Sequence, residues 1–474
     1  NTYEAVVVPI LSDFTPESVN HLVDHSESLI LFTDSDIWAK LDIQAMPRLK
    51  AVVSVNDFTL LWSAGEEVKA AFASVPERFT AKYPMGFSRE NVKYNTDNWD
   101  DLDIINYTSG TTSAPKGVML TYRAISATVD FGQRYIPSSD KFTMVSMLPM
   151  AHMYGMAFEF LFEFLTGLHI FYLSRIPSPA IIAQAFSEVK PKVIIAVPLV
   201  IEKIIKKKVF PKIQNNRMRL LLNMPVINKK VNEKICEQVR AAFGGQFYEV
   251  IIGGAAFNKE VELFLHRIGF QYTVGYGATE CAPIISYADY KTFVPGSCGR
   301  PVVHMEVKID SHDPENVPGE ILARGLNVML GYYKNEEATQ NTLDKEGWYH
   351  TGDLGTMDAE GNIFIKGRSK NMLLSSNGQN IYPEEIEDQL NSLPMVMESV
   401  VVQRGDKLAA LVHPDFEEAK TMGLSTDDLQ KLMEENRTTI NAELPAYSKI
   451  TEIEIHEDEF EKTPKKSIKR YLYK

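Results

Sequence analysis

Residues 107–118 read YTSGTTSAPKGV, and five of the six positions from Thr108 to Ser113 carry a hydroxyl, Gly110 being the exception. Such side chains hydrogen-bond locally and favour turns over helix or strand. Thr108, Ser109, Thr111 and Thr112 can donate to anionic oxygens. Gly110 and Gly117 are expected to let the backbone take positive φ, so that successive N–H groups converge on one point. Pro115 stiffens the chain ahead of Lys116, a point charge on a flexible stem. Together these are the parts of a phosphate cradle. A solvated Ser/Thr/Gly turn would use the same residues, and the remaining motifs weigh against that plainer reading.

The spacing separates this loop from the P-loop of kinases and ATPases, G-x-x-x-x-G-K-[ST], whose final hydroxyl holds Mg²⁺. Here Pro115 replaces the second glycine and Gly117 replaces the hydroxyl. Further along, TVGYGATE (273–280) offers an aromatic face at Tyr276 for stacking on a base and a turn at Gly277. It also offers a hydroxyl at Thr279 and, at Glu280, a hard oxygen ligand suited to Mg²⁺ bridging phosphates. YEVIIGGAAF (248–257) ends a β-rich run in Gly253, Gly254, Ala255 and Ala256, small residues that allow a flat ring to approach. WYHTGDLG (348–355) puts Asp353 in an expected turn, where a carboxylate can accept from both hydroxyls of a ribose.

These motifs recur in the order of the adenylate-forming superfamily, which the chain resembles over nearly its whole length. That superfamily comprises acyl-CoA synthetases, luciferases and the adenylation domains of peptide synthetases. YTSGTTSAPKGV is similar to its phosphate loop, and the following VMLTYRAI fits the acyl-CoA synthetase branch. The run VKPKVIIAVPLVIEKIIKKKVFPKI (189–213) looks most like long-chain fatty-acid–CoA ligases. The resemblance implies ATP, Mg²⁺ and coenzyme A as reaction partners of a fatty acid. It implies that Thr108, Ser109, Gly110, Thr111, Thr112 and Lys116 hold phosphates, and that Gly254, Ala255 and Ala256 lie along adenine. Tyr276, Gly277, Ala278 and Ile365 complete the nucleotide site. Thr279 contacts the α-phosphate and Glu280 coordinates the metal. Asp353 takes the ribose, with Arg368 reaching ribose and phosphate oxygens. His152, in PMAH, and Gly277 wall the acyl site, His152 without a proton-transfer role. Lys370 is the implied hinge, and Gly378 lies in the turn of the CoA-side conformation.

The elements that must position these residues alternate in type. AVVVPIL (5–11) and SLILFTD (28–34) are short apolar, β-rich runs with a helical pattern, PESVNHLVDH, between them, and LKAVVSV (49–55) repeats the strand signal. Strands and helices at this interval indicate βαβ units and a parallel sheet. Residues 64–101 read as polar and irregular. Met153 to Leu173 is interrupted by Glu159, Glu163 and His169, which fits a buried amphipathic helix followed by a strand and not a bilayer span. Residues 295–334 give short strands with Gly/Pro turns. The expected fold is α/β: a large domain (1–369) of doubly wound sheets plus a small β-barrel subdomain, then a small mobile α+β lid (370–474).

At 474 residues more than one core is expected. A net charge of −13 argues against non-specific nucleic-acid binding, which runs on basic surface. The lysines at 203, 206, 207 and 208 could meet an anionic membrane, but a solvated helix face is the better expectation in so acidic a protein. Cys236, Cys281 and Cys298 form no paired metal-ligand spacing and suggest a reducing, cytoplasmic compartment. The chain does not open on methionine, and its start resembles the middle of the family's first subdomain, so the usual N-terminal segment is expected to be missing.

One departure stands out near the C-terminus. The family's T-P-x-x-K-x-x-R carries the adenylation lysine, whereas here Ser467 occupies that position between Thr463-Pro464 and Arg470. Lys465 and Lys469 share a face with Ser467 in an extended segment, and a one-residue slip brings Lys466 into place. Lys466 is the residue named here. The favoured reading is a fatty-acid–CoA ligase. Its alternatives are an acyl-AMP ligase loading a carrier protein, a medium-chain or aryl acid–CoA ligase, and, in another class, a non-catalytic nucleotide-binding regulator.

Overall fold

The computed structural model describes residues 5–92, 98–108, 115–173, 177–210, 225–375, 379–405, 407–463 and 468–473. Short apolar runs become parallel strands. Ile30–Thr33 pairs in parallel with Ala51–Ser54, and Leu60–Ser63 adds an antiparallel third strand. The helix Pro16–His25 starts on the Thr15 side chain, which accepts from Ser18 N, with Pro16 in the first turn. Its Val19 and Val23 pack with Leu49 and Val52. Val193–Ala196, Glu249–Ile252 and Tyr272–Val274 form a second parallel sheet, every residue of which is buried. Burial on both faces explains the apolar runs VIIA at 193–196 and VII at 250–252.

The stretch after residue 153 is the expected helix and strand. It runs from Met153 to Thr166 with a π-helical turn at Ala157–Leu161, and His169–Tyr172 then pairs in parallel with Thr143–Ser146. Leu102–Thr108 and Lys116–Thr121 form an antiparallel hairpin that Gly331–Tyr332 joins as a third strand. The small subdomain is a four-stranded antiparallel sheet in the order Met305–Asp310, Gly319–Gly325, Tyr349–Met357, Ile363–Arg368.

The C-terminal residues build their own core. Val396–Arg404 and Lys407–Pro414 are antiparallel, Ile450–Ile455 is parallel to the latter, and the helices Pro383–Leu390 and Thr426–Glu443 cover the sheet. Ile386, Leu390, Val401, Ala410, Val412, Met433, Ile440 and Ile450 meet in its interior. Among the described residues no helix is long and apolar enough to cross a membrane.

Three expectations change. Residues 5–11 form no full strand; Val7 makes a single parallel bridge to Ile104. Residues 64–101 are not irregular, because Glu66–Ala73 and Val75–Lys82 are helices. Neither helix has a buried residue, and Val75 and Phe79 stay exposed, so both helices lie outside the core. The lysine-bearing stretch is not wholly solvated, since Lys206 Nζ donates to Asn391 O at 3.0 Å across the two halves of the chain.

Candidate active site

The expected cradle hangs from the hairpin's end. Thr108 pairs directly with Lys116, so the two ends of the intervening loop are fixed side by side. Ser109, Gly110, Thr111 and Thr112 lie outside the described residues. Gly117 is not in the positive-φ region, contrary to expectation; it is a strand residue required by close approach. A Cβ there would stand 2.8 Å from Ile105 Cγ2 and 3.2 Å from the Tyr107 ring. Lys116 Nζ sits 4.7 Å from the centroid of the Tyr332 ring, a cation–π contact. The Tyr332 hydroxyl donates to Glu280 Oε1 at 2.9 Å. Lys116 and Glu280, 164 positions apart in sequence, therefore meet on two sides of one phenol.

Glu280 rides on a 3₁₀ turn, Thr279–Cys281, with Thr279 buried. The preceding Tyr276–Gly277 strand crosses close to Pro283, whose carbonyl oxygen would lie 1.7 Å from a Cβ on Gly277. That approach demands glycine where the sequence suggested a turn. Tyr276 does not lay its ring open for stacking. It is 8 % exposed, packed in the main core, and its hydroxyl donates to Asp353 Oδ2 at 2.6 Å. Ala278 is half-buried beside it.

Asp353 lies within the strand Tyr349–Met357, not in a turn. The turn-like TGD signal corresponds to Gly352 at φ +69° and a register shift between Leu354 and Gly355. Across the ladder, Arg368 Nε reaches Asp353 Oδ1 at 2.7 Å. Burial pushes the Asp353 carboxyl above its usual range, while Arg368 and the Tyr276 hydroxyl pull it back. Arg368 is 59 % exposed along its side chain, so the pair is open on the arginine's side. Ile365, on the same strand as Arg368, is exposed. Gly254, Ala255 and Ala256 form an exposed shelf directly after the strand Glu249–Ile252, with Gly254 at φ +90°.

His152 opens the helix beginning at Met153, its N–H donating to Pro149 O at 2.9 Å. Asn106 Nδ2 donates to Ala151 O at 3.0 Å, tying the PMAH turn to the cradle's own strand. Behind it, Glu159 Oε2 accepts from Met147 N, Leu148 N and Ser146 Oγ. Burial holds the Glu159 and Glu163 carboxyls up at about 8 each, so both keep their protons at neutral pH. Sequence reading missed Asn106, Glu159 and Tyr332; only Glu159, a carboxylate inside an apolar run, left a signal.

Lys370 is exposed on the 3₁₀ turn Ser369–Asn371, beside Asn371, whose amide donates to Glu384 Oε1 at 2.6 Å. Gly378 and Lys466 lie outside the described residues. Arg470 is described: its guanidinium grips Glu387 with two bonds, Nη1 to Oε2 at 2.6 Å and Nη2 to Oε1 at 2.7 Å.

Comparison with known proteins gives the chain a family. Residues 2–333 match the AMP-binding enzyme family, and residues 370–473 match the AMP-binding enzyme C-terminal domain. The chain belongs to the AMP-binding enzyme family. It is 26 % identical to the long-chain-fatty-acid–CoA ligase FadD15 of Mycobacterium bovis, over 98 % of this chain and 81 % of that protein. It is 28 % identical to long-chain-fatty-acid–CoA ligase 5 of Rattus norvegicus, over 82 % of this chain and 60 % of that one. Among solved structures, the anthranilate CoA ligase AuaEII in complex with anthranoyl-AMP superposes with a TM-score of 0.76 at 18 % identity. That match covers 99 % of this chain and 82 % of the other, and the adenylate-forming fold is shared.

Proposed function

We propose that the chain is an ATP-dependent, AMP-forming ligase that joins a long-chain fatty acid to coenzyme A. The observation that carries this reading is the convergence of three separate stretches. Lys116 and Glu280 meet at Tyr332, and Tyr276, four positions before Glu280, reaches Asp353 and through it Arg368. A cation, a carboxylate and a ribose-type acceptor thus border one region of the molecule.

In this reading Lys116 and the cradle hydroxyls take the β- and γ-phosphates, and Asp353 with Arg368 takes the ribose. Among the described residues no group of three or more His, Cys, Asp or Glu side chains could hold a metal alone. Mg²⁺ bound through one carboxylate, water and substrate phosphates needs no such group, and Glu280 beside Lys116 suits that mode. When bound there, the ion neutralises phosphate oxygens. The fatty-acid carboxylate attacks the α-phosphorus, the bond to the β-phosphate bridging oxygen breaks, and acyl-adenylate and pyrophosphate result. The CoA thiolate then attacks the acyl carbon and AMP leaves, giving the thioester. The protein's share is positioning and charge compensation, which suits phosphoryl transfer.

The long-chain preference rests on the names of the two relatives and on the resemblance of the run 189–213 to long-chain ligases. A second reading, an aryl acid as substrate, is favoured by the superposition on AuaEII. Pyrophosphate release measured across fatty acids of increasing length and against anthranilate, with CoA or an acyl carrier protein as acceptor, separates these. A maximum at long chains with CoA supports the proposal. Release with anthranilate alone, or thioester formed only on carrier protein, replaces it. No acid-dependent release under saturating MgATP points to a non-catalytic nucleotide binder.

A further inference from the structure

The segment 329–333 does more than complete a sheet. Its backbone is bonded on both sides of the candidate site: Met329 N donates to Glu280 O at 2.8 Å, Leu330 N to Met119 O at 2.9 Å and Tyr333 N to Gly117 O at 2.7 Å. Tyr332 pairs with Val118, two residues from Lys116. The strap can enter this way because of Gly331, at φ +141°, where a Cβ would lie 2.6 Å from Thr339 Cγ2. Thr339 in turn uses its hydroxyl oxygen to accept from Tyr332 N at 2.9 Å. The phenol is 6 % exposed and is therefore held in one place by packing as well as by bonds.

We propose that Tyr332 is a positioning residue that couples Glu280 to Lys116. Its hydroxyl aims the carboxylate, its ring seats the ammonium group, and the two present to the triphosphate as one preorganised unit. The proposal rests on the nucleotide reading of Lys116 and Glu280 given above. In this assignment Tyr332 acts on the phosphates through its two neighbours. A donor on the carboxylate and a quadrupole under the cation also keep the two charges from closing into a direct salt bridge, which would take both away from the ligand.

The test is calorimetric binding of α,β-methylene-ATP to the full chain, with and without Mg²⁺, for the unmutated protein, Tyr332→Phe and Tyr332→Leu. Phe keeps the ring under Lys116 and removes only the donor. Tyr332→Phe should leave Mg²⁺-free binding within about twofold and cut the Mg²⁺ enhancement roughly tenfold, the size of one hydrogen bond to a charged acceptor. Tyr332→Leu should weaken Mg²⁺-free binding as well. A purely structural role for Tyr332 would lower both affinities together and the melting temperature with them. An unchanged Mg²⁺ enhancement in Tyr332→Phe, or an equal loss in both conditions, overturns the proposal while leaving the nucleotide reading intact. If the unmutated chain binds no nucleotide, the nucleotide reading fails and this proposal fails with it.

Discussion

Arg368 and Asp353 face each other across adjacent antiparallel strands, Nε to Oδ1 at 2.7 Å, while Tyr276 occupies the second carboxylate oxygen. A ribose can be taken by Asp353 only by sharing or displacing these partners, so the nucleotide competes with an internal ion pair. Asp353→Asn keeps an acceptor for Tyr276 and weakens the pair with Arg368. The expected result is a rise in KM for ATP of roughly ten- to a hundredfold, from loss of hydrogen bonds to a charged acceptor. Melting temperature should change little. ATP–pyrophosphate exchange kinetics read the effect, and an unaltered KM would remove Asp353 from the site.

Glu163 makes stability depend on pH in a stated direction. Both of its carboxyl oxygens are buried without a hydrogen-bond partner. Unfolded, the group ionises near 4.5; folded, it holds its proton up to about 8. Between these values the native state binds more protons, so stability falls as pH rises through that window. Glu163→Gln should melt with the unmutated chain at pH 5 and above it at pH 8.5, by about 2–4 °C for each kcal/mol recovered. Thermal melts across that range decide it, and a difference that does not grow with pH refutes the assignment.

The clamp between Arg470 and Glu387 holds the end of the chain to the helix Pro383–Leu390, with Val401 N also donating to Glu387 Oε1 at 2.5 Å. Removing the arginine strands a carboxylate whose side chain is only 9 % exposed. Arg470→Ala should destabilise the C-terminal unit by about 3 kcal/mol, the lower end for a broken buried pair because the arginine keeps some exposure. The double variant Arg470→Ala/Glu387→Gln should recover part of the loss. Denaturant titration of both variants tests this; no recovery would mean that packing, not charge, holds the tail.

Much of the architecture was legible in the sequence because four-residue apolar runs such as VIIA at 193–196 have only one comfortable place, a strand buried on both faces. The helices at 66–82 were invisible for the opposite reason, having no side chain in the core. Asp353 was read as a turn residue because a bulge in a strand and a turn use the same chemistry, glycine at positive φ before a short polar side chain. Tyr276 and Glu280 were named from type and spacing. What spacing could not reveal was that Tyr276 turns its hydroxyl inward to Asp353, or that a tyrosine 52 positions beyond Glu280 would join it to Lys116. Such links depend on the chain returning after 52 positions in one case and 77 in the other, and a local motif holds no record of them.

Among the described residues, the hydrophobic clusters of the chain before Arg368 and those after it share no member. The contacts that do span the two parts include Lys206 to the Asn391 carbonyl, Asn258 to the Ser392 hydroxyl at 3.1 Å, and Lys366 to Glu385 at 3.0 Å. Water can replace each of these at a net cost of about 1 kcal/mol. The junction is thus closer to a handshake than to a weld, held at these points by polar contacts and not by a shared apolar interior.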